Sequence, residues 1–206
     1  MGDLIINPPI SLLNSSMDKG PRYTEFSWAA RLDPVVYPGY NALVTFSNGY
    51  KRMMFSNGVK WKLEEPWYSG APGVSITGTT ADTPYLSTII PGGLMGADGS
   101  IVLRIHYDKS GTNGALTMNG KLGSTWVMQY PSSSAAQHGI TYRTVTNTSE
   151  TAQRMVSTST LDQSINSTNR WVASENTKND LPFVLSATLA SGSDIFVADK
   201  VILEII

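Results

Sequence analysis

The sequence predicts an all-β protein, a β-sandwich of jelly-roll type preceded by a small β-meander. Three observations carry this. Two Ser-Asn-Gly turns, Ser47-Asn48-Gly49 and Ser56-Asn57-Gly58, flank one short strand. From Tyr85 onward, short runs alternate apolar and polar side chains with a period of two, divided by polar turns. No segment sustains a helical period; Gln153 to Ser159 comes nearest, and its Ser and Thr neighbours weaken it.

Residues 1–34 carry breakers at Pro8-Pro9, Asn14-Ser15-Ser16 and Gly20-Pro21. Only Phe26 to Leu32 can form a short helical or extended element, ended by Asp33-Pro34. The segment reads either as an irregular lead-in or as a docking arm that buries Leu4, Ile5, Ile6, Leu12, Leu13, Phe26 and Trp28 against a partner. Residues 35–65 form the meander. Ala42, Val44 and Phe46 share one face of its first strand, Tyr50 to Phe55 return, and Val59, Trp61 and Leu63 share a face of the third. Asn-Gly accepts the positive φ that tight hairpins need, so both turns are strong signals.

Residues 66–206 make the sandwich. A Gly/Pro/Thr-rich stretch to Pro84 is a linker or an edge of that domain. Ile101, Leu103, Ile105 and Tyr107 then line one face of a strand, with Val102, Arg104 and His106 on the other. Leu116 and Met118 continue the pattern, followed by Trp126, Met128 and Tyr130, and later by Leu181, Phe183, Leu185, Ala187 and Leu189. The last run sets Val201, Leu203 and Ile205 opposite Ile202, Glu204 and Ile206. Apolar on nearly both faces, it is expected to be central or to sit at a subunit contact.

Composition narrows function. A net charge of −1 gives no whole-chain attraction to nucleic acid or anionic membranes. Charged residues make up 15% of the chain, against about 25% in an average domain, and Ser, Thr, Asn and Gly fill the difference. With no cysteine, disulfides and thiolate metal sites are excluded. The sequence shows no signal-peptide pattern and no apolar run of the roughly 20 residues needed to span a bilayer, so cytoplasmic synthesis is expected.

Chemistry-bearing motifs are sparse. Gly92-Gly93-Leu94-Met95-Gly96 lacks the spacing of dinucleotide or P-loop fingerprints, and no helix follows it. His106 and Asp108 would face the same way on a strand, yet no nucleophile motif accompanies them or His138. Glu64 and Glu65 are adjacent, so on a strand they point to opposite faces, unlike a glycosidase pair. The sequons at Asn14, Asn147 and Asn166 read as turn residues, and Lys51, Arg52, Lys60 and Lys62 as solvated hairpin charges. No catalytic residue, metal site or cofactor is assigned. Binding is better carried by aromatics beside polar turns. Trp67, Tyr68, Trp126, Tyr130, Tyr142 and Trp171 are the candidate glycan or partner contacts, or else core.

Two stretches resemble known proteins. Asn41 to Phe46 with Phe55 to Trp61 is similar to a short hairpin module of phage and prophage tail proteins. Ile90-Pro91-Gly92-Gly93-Leu94-Met95-Gly96-Ala97-Asp98-Gly99 leading into Ser100 to Ile105 resembles the opening of a β-sandwich domain in phage fibre and appendage proteins, in which a hairpin follows, here Ser110 to Gly114. The resemblance implies a non-enzymatic bacteriophage virion surface protein, a tail-fibre or appendage component taking part in host adsorption and often homotrimeric. Capsid decoration or a head fibre is the alternative, and a polysaccharide-degrading enzyme the lesser one. Expected partners are further copies, virion proteins held through Leu12, Leu13, Phe26 and Trp28, and a host surface glycan, without nucleic acid or membrane insertion.

Overall fold

The structure, a computed structural model, describes residues 24–111, 114–132, 137–157 and 172–206. Leu12, Leu13, Trp171 and most of the arm lie outside these residues.

Strands β1 (Thr24–Ser27), β2 (Asn41–Thr45), β3 (Lys51–Ser56) and β4 (Trp61–Leu63) form one sheet in that order. β2 to β4 are the antiparallel meander, turning at Gly49 and Gly58 with φ of 79° and 84°. β1 adds in parallel beside β2, Phe26 opposite Val44, and a 3-10 turn follows at Trp28–Ala30. Val59 does not share a face with Trp61 and Leu63: it is 75% exposed in the turn. The Asn57 side chain accepts hydrogen bonds from the Val59 and Lys60 N–H groups, so the strand starts only at Trp61.

The remaining strands are β5 (Tyr68–Gly70), β6 (Ser75–Thr77), β7 (Thr83–Ile90), β8 (Ser100–Ser110), β9 (Leu116–Leu122), β10 (Thr125–Ser132), β11 (Gln137–Ser149), β12 (Ala152–Ser157), β13 (Val172–Ala173), β14 (Leu181–Leu189) and β15 (Ile195–Ile205). One sheet has the order β10-β9-β14-β7, the other β13-β12-β11-β8-β15-β5, with β6 also on β15. β5 and β6 pair with successive parts of β15 and act as one edge strand. The chain thus passes from the large sheet to β7, back to β8, over to β9 and β10, back to β11, over to β14 and back to β15. This interleaving is the jelly-roll order, and the protein is an all-β sandwich.

Of the two readings of residues 66–84, linker or edge, the structure gives the edge, through β5 and β6 on β15. One expectation changes. β8 and β9 are not the two arms of a hairpin, because β8 pairs with β11 and β15 while β9 pairs with β10 and β14. Each of these two strands has one apolar face, and placing them in opposite sheets buries both faces against one core.

Ile101, Leu103, Ile105 and Tyr107 of β8 and Val201, Leu203 and Ile205 of β15 face inward onto Leu116, Met118, Phe183, Leu185 and Ala187, all buried. Each large apolar side chain so covered contributes about 1.5–3 kcal/mol. The small sheet is joined to this body. Trp28 Nε1–H donates to Gly92 O (2.6 Å), the Gly92 N–H to Asp180 Oδ1 (2.8 Å), and Ser47 Oγ–H to Asp180 Oδ2 (2.5 Å). A Cβ on Gly92 would lie 2.2 Å from the Lys178 carbonyl oxygen, so this motif glycine serves close backbone approach.

Candidate interaction surface

The aromatic candidates separate by burial. Trp67 is 1% exposed, its Nε1–H on Thr88 Oγ1 and its ring edge-on to Phe46; Tyr130 is 4% exposed and packs against Tyr107. Both are core residues. Neither offers a ring face to a glycan, because the inner surfaces of the sheets close over them. Trp28 and Phe26 are likewise corrected as docking residues. Trp28 is buried against Phe46, and half-buried Phe26 packs edge-on to Trp61 within the same chain.

Three candidates remain at the surface. Half-buried Tyr68 borders a shallow depression with Arg52, Glu65, Pro66 and Ser69. There the Arg52 guanidinium lies 5.5 Å from the Tyr50 ring and 5.4 Å from the Trp67 ring, and it donates to Trp67 O. Trp126, 36% exposed, is on the outer face of the β10-β9-β14-β7 sheet with Lys121 Nζ 4.0 Å from its ring. The even spacing of Trp126, Met128 and Tyr130 predicts a shared face. A bulge between Trp126 and Met128 turns Trp126 outward instead, while Met128 and Tyr130 go to the core.

Tyr142 is on the outer face of the large sheet, where the register composes a surface. Ile140, His106 and Lys200 form one row across β11, β8 and β15; Tyr142, Arg104 and Ile202 the next; Thr144, Val102 and Glu204 the third. Ile140 is 49% and Tyr142 38% exposed, and the Arg104 guanidinium lies 5.2 Å from the Tyr142 ring. Aromatic, aliphatic and arginine side chains together on an open sheet face are the composition of protein interfaces.

The polar candidates do not converge on a reaction centre. His138 stands opposite Asp108 in register, Nδ1 3.3 Å from Oδ1, with the imidazole largely in solvent. Among the described residues no three metal-ligating side chains come together. The periodicity also passed over the acidic residues that hold loops. Glu175 Oε1 accepts from Thr125 Oγ1 (2.6 Å) and from the Ser124 Oγ and N–H (2.9 Å each). Burial pushes its carboxyl up, but these hydrogen bonds outweigh burial and hold it below the ordinary value. A depressed folded value stabilises the fold above the unfolded pKa of about 4.3, and that contribution is lost as pH falls through the folded value. Glu175→Gln should therefore flatten stability against pH below about pH 4.3, read by urea denaturation at several pH values. An unchanged slope would refute the assignment.

No family model matches the chain, and no curated protein is similar to it. Among solved structures it is similar to chains of infectious bursal disease virus. For the Gt strain the identity is 11% and the TM-score 0.36, covering 76% of this chain and 35% of that one. For the VP2 subviral particle the values are 12% and 0.38 over 76% and 35%, and for the Gx strain 12% and 0.27 over 77% and 50%. The chain spans about a third to a half of the length of these proteins, and at this level the likeness carries no functional inference.

Proposed function

We propose that this protein is a structural component of a bacteriophage virion, a tail-fibre or appendage subunit that self-associates as a trimer and takes part in host adsorption. The observation that carries the reading is the outer face of the large sheet. Ile140, Tyr142, Val102 and Ile202 lie together there among Arg104, Lys200 and Glu204, a surface suited to a second copy of the chain. The two phage-like sequence stretches support the setting. Both fall at structural joints, the meander and the glycine-rich connection from β7 to β8. The jelly-roll order, a frequent architecture of virion subunits, is compatible with it.

Light scattering of the full chain should give three times the 22.3 kDa chain mass. Ile140→Glu with Tyr142→Glu should return it to one, the circular dichroism spectrum being unchanged. A stable monomer of the unaltered chain at micromolar concentration would remove the trimer.

Adsorption rests on Trp126 and Tyr68, which lie off the outer face of the large sheet and whose rings reach solvent and can stack on sugar rings, with weak contacts strengthened by several copies. Labelled protein should bind host cells saturably and without releasing reducing sugars, and Trp126→Ala should weaken binding several-fold. Release of reducing ends over time would establish the enzyme instead. Incorporation into particles without cell binding would establish a decoration protein.

A further inference from the structure

The inner face of β8 does not end at Tyr107. The next inward position is Lys109, and its side chain is 0% exposed, as is that of Asp194 just ahead of β15. Lys109 Nζ lies 3.3 Å from Asp194 Oδ2. Lysine and aspartate are almost never fully buried unless paired. The surroundings here are dry and crowded. Phe196, 0% exposed, is the cross-strand partner of Lys109, and Tyr107 stacks on Phe196 at 6.2 Å. Two glycines close over the carboxylate: a Cβ on Gly111 would come 2.4 Å from Asp194 Oδ1, and one on Gly114 2.5 Å from Oδ2. Gly111 and Gly114 flank the crossing from β8 to β9, so two connections converge on one buried amine and one buried carboxyl.

We propose that Lys109 and Asp194 are the partners of an autocatalytic isopeptide bond that staples β8 to the start of β15. Moving one proton across the 3.3 Å gap turns the ion pair into an amine and a carboxylic acid, which removes both charges from a site without solvent. The Nζ lone pair then attacks Asp194 Cγ. The new C–N bond forms, the C–OH bond breaks, and the nitrogen's proton leaves with that hydroxyl as water. No atom is oxidised or reduced, and nothing outside the chain is consumed. The fold supplies proximity, holding the amine 3.3 Å from a carboxyl oxygen where a free amine and acid would not condense. Burial shields the product from hydrolysis. A chain with no cysteine gains in this way a covalent cross-link that no reductant opens, a property suited to a particle exposed outside the cell.

The test is intact-mass spectrometry of the full chain under denaturing conditions, followed by tryptic mapping. The cross-linked protein is one water lighter than its sequence. A modified Lys109 resists trypsin, so the digest should yield a branched peptide joining residues 105–121 to residues 179–200. Succinimide formation at Asp98-Gly99 also removes one water, and the map separates the two because it leaves Lys109 cleavable. Lys109→Arg should restore the full mass. The full sequence mass, with cleavage after Lys109 in protein matured for days at neutral pH, overturns the proposal. The wild-type measurement decides the matter even where the variant fails to fold.

Discussion

Trp28→Ala is expected to lower the unfolding free energy by about 3–5 kcal/mol, the range for truncating a buried tryptophan. The side chain is 8% exposed, packs on Phe46 at 5.4 Å, and carries the Arg31 guanidinium 4.2 Å from its ring. Its Nε1–H also satisfies the Gly92 carbonyl, so truncation both opens a cavity and removes that carbonyl's donor. Urea denaturation of the full chain measures the loss. Deleting residues 1–34 removes this tryptophan, β1 and the Leu32 carbonyl that accepts from Trp61 Nε1. The deletion should therefore strip the small sheet of its packing, while the sandwich keeps its own core. A deletion variant with an unchanged midpoint would show that the first sheet is not integral to the fold.

Lys109→Met is expected to cost a similar amount, about 3–5 kcal/mol, because it removes the cation that lies 3.3 Å from the fully buried Asp194 carboxylate. The expectation holds whether the native pair is ionic or joined as an amide, since either way the variant removes the lysine from a fully buried carboxyl. Lys109→Met combined with Asp194→Leu removes both polar groups and should recover most of the loss in a chain that has not formed the bond. Thermal or urea unfolding of the two variants side by side checks this. If the double variant is as unstable as the single one, packing around Lys109 sets the cost, not the loss of the charge pair.

Much of this was legible in the sequence for a definite reason. Strand alternation is a local property: Ile101, Leu103, Ile105 and Tyr107 face inward because every second residue must, and the structure buries all four. The two Asn-Gly turns are as local, since the chain needs positive φ at Gly49 and Gly58 wherever the strands go. The bulge at Trp126 is not local. One extra residue on β10 is set by its pairing with β9 and reverses the side on which the tryptophan emerges. Burial of Trp67 is decided the same way. A tryptophan followed by Tyr68 near a turn looks identical whether Phe46 and Thr88 close over it or leave it open.

Periods of two and turn chemistry act within a few residues, so the all-β class, the run of most strands and the apolar face of each can be read without the fold. Which strands are neighbours, that β8 and β9 lie in opposite sheets, and which aromatics reach solvent are settled only in three dimensions. The fold alone brings Lys109 and Asp194, 85 residues apart, to 3.3 Å. Pairing across a sandwich depends on how whole faces cover one another, and no short window of sequence contains both faces.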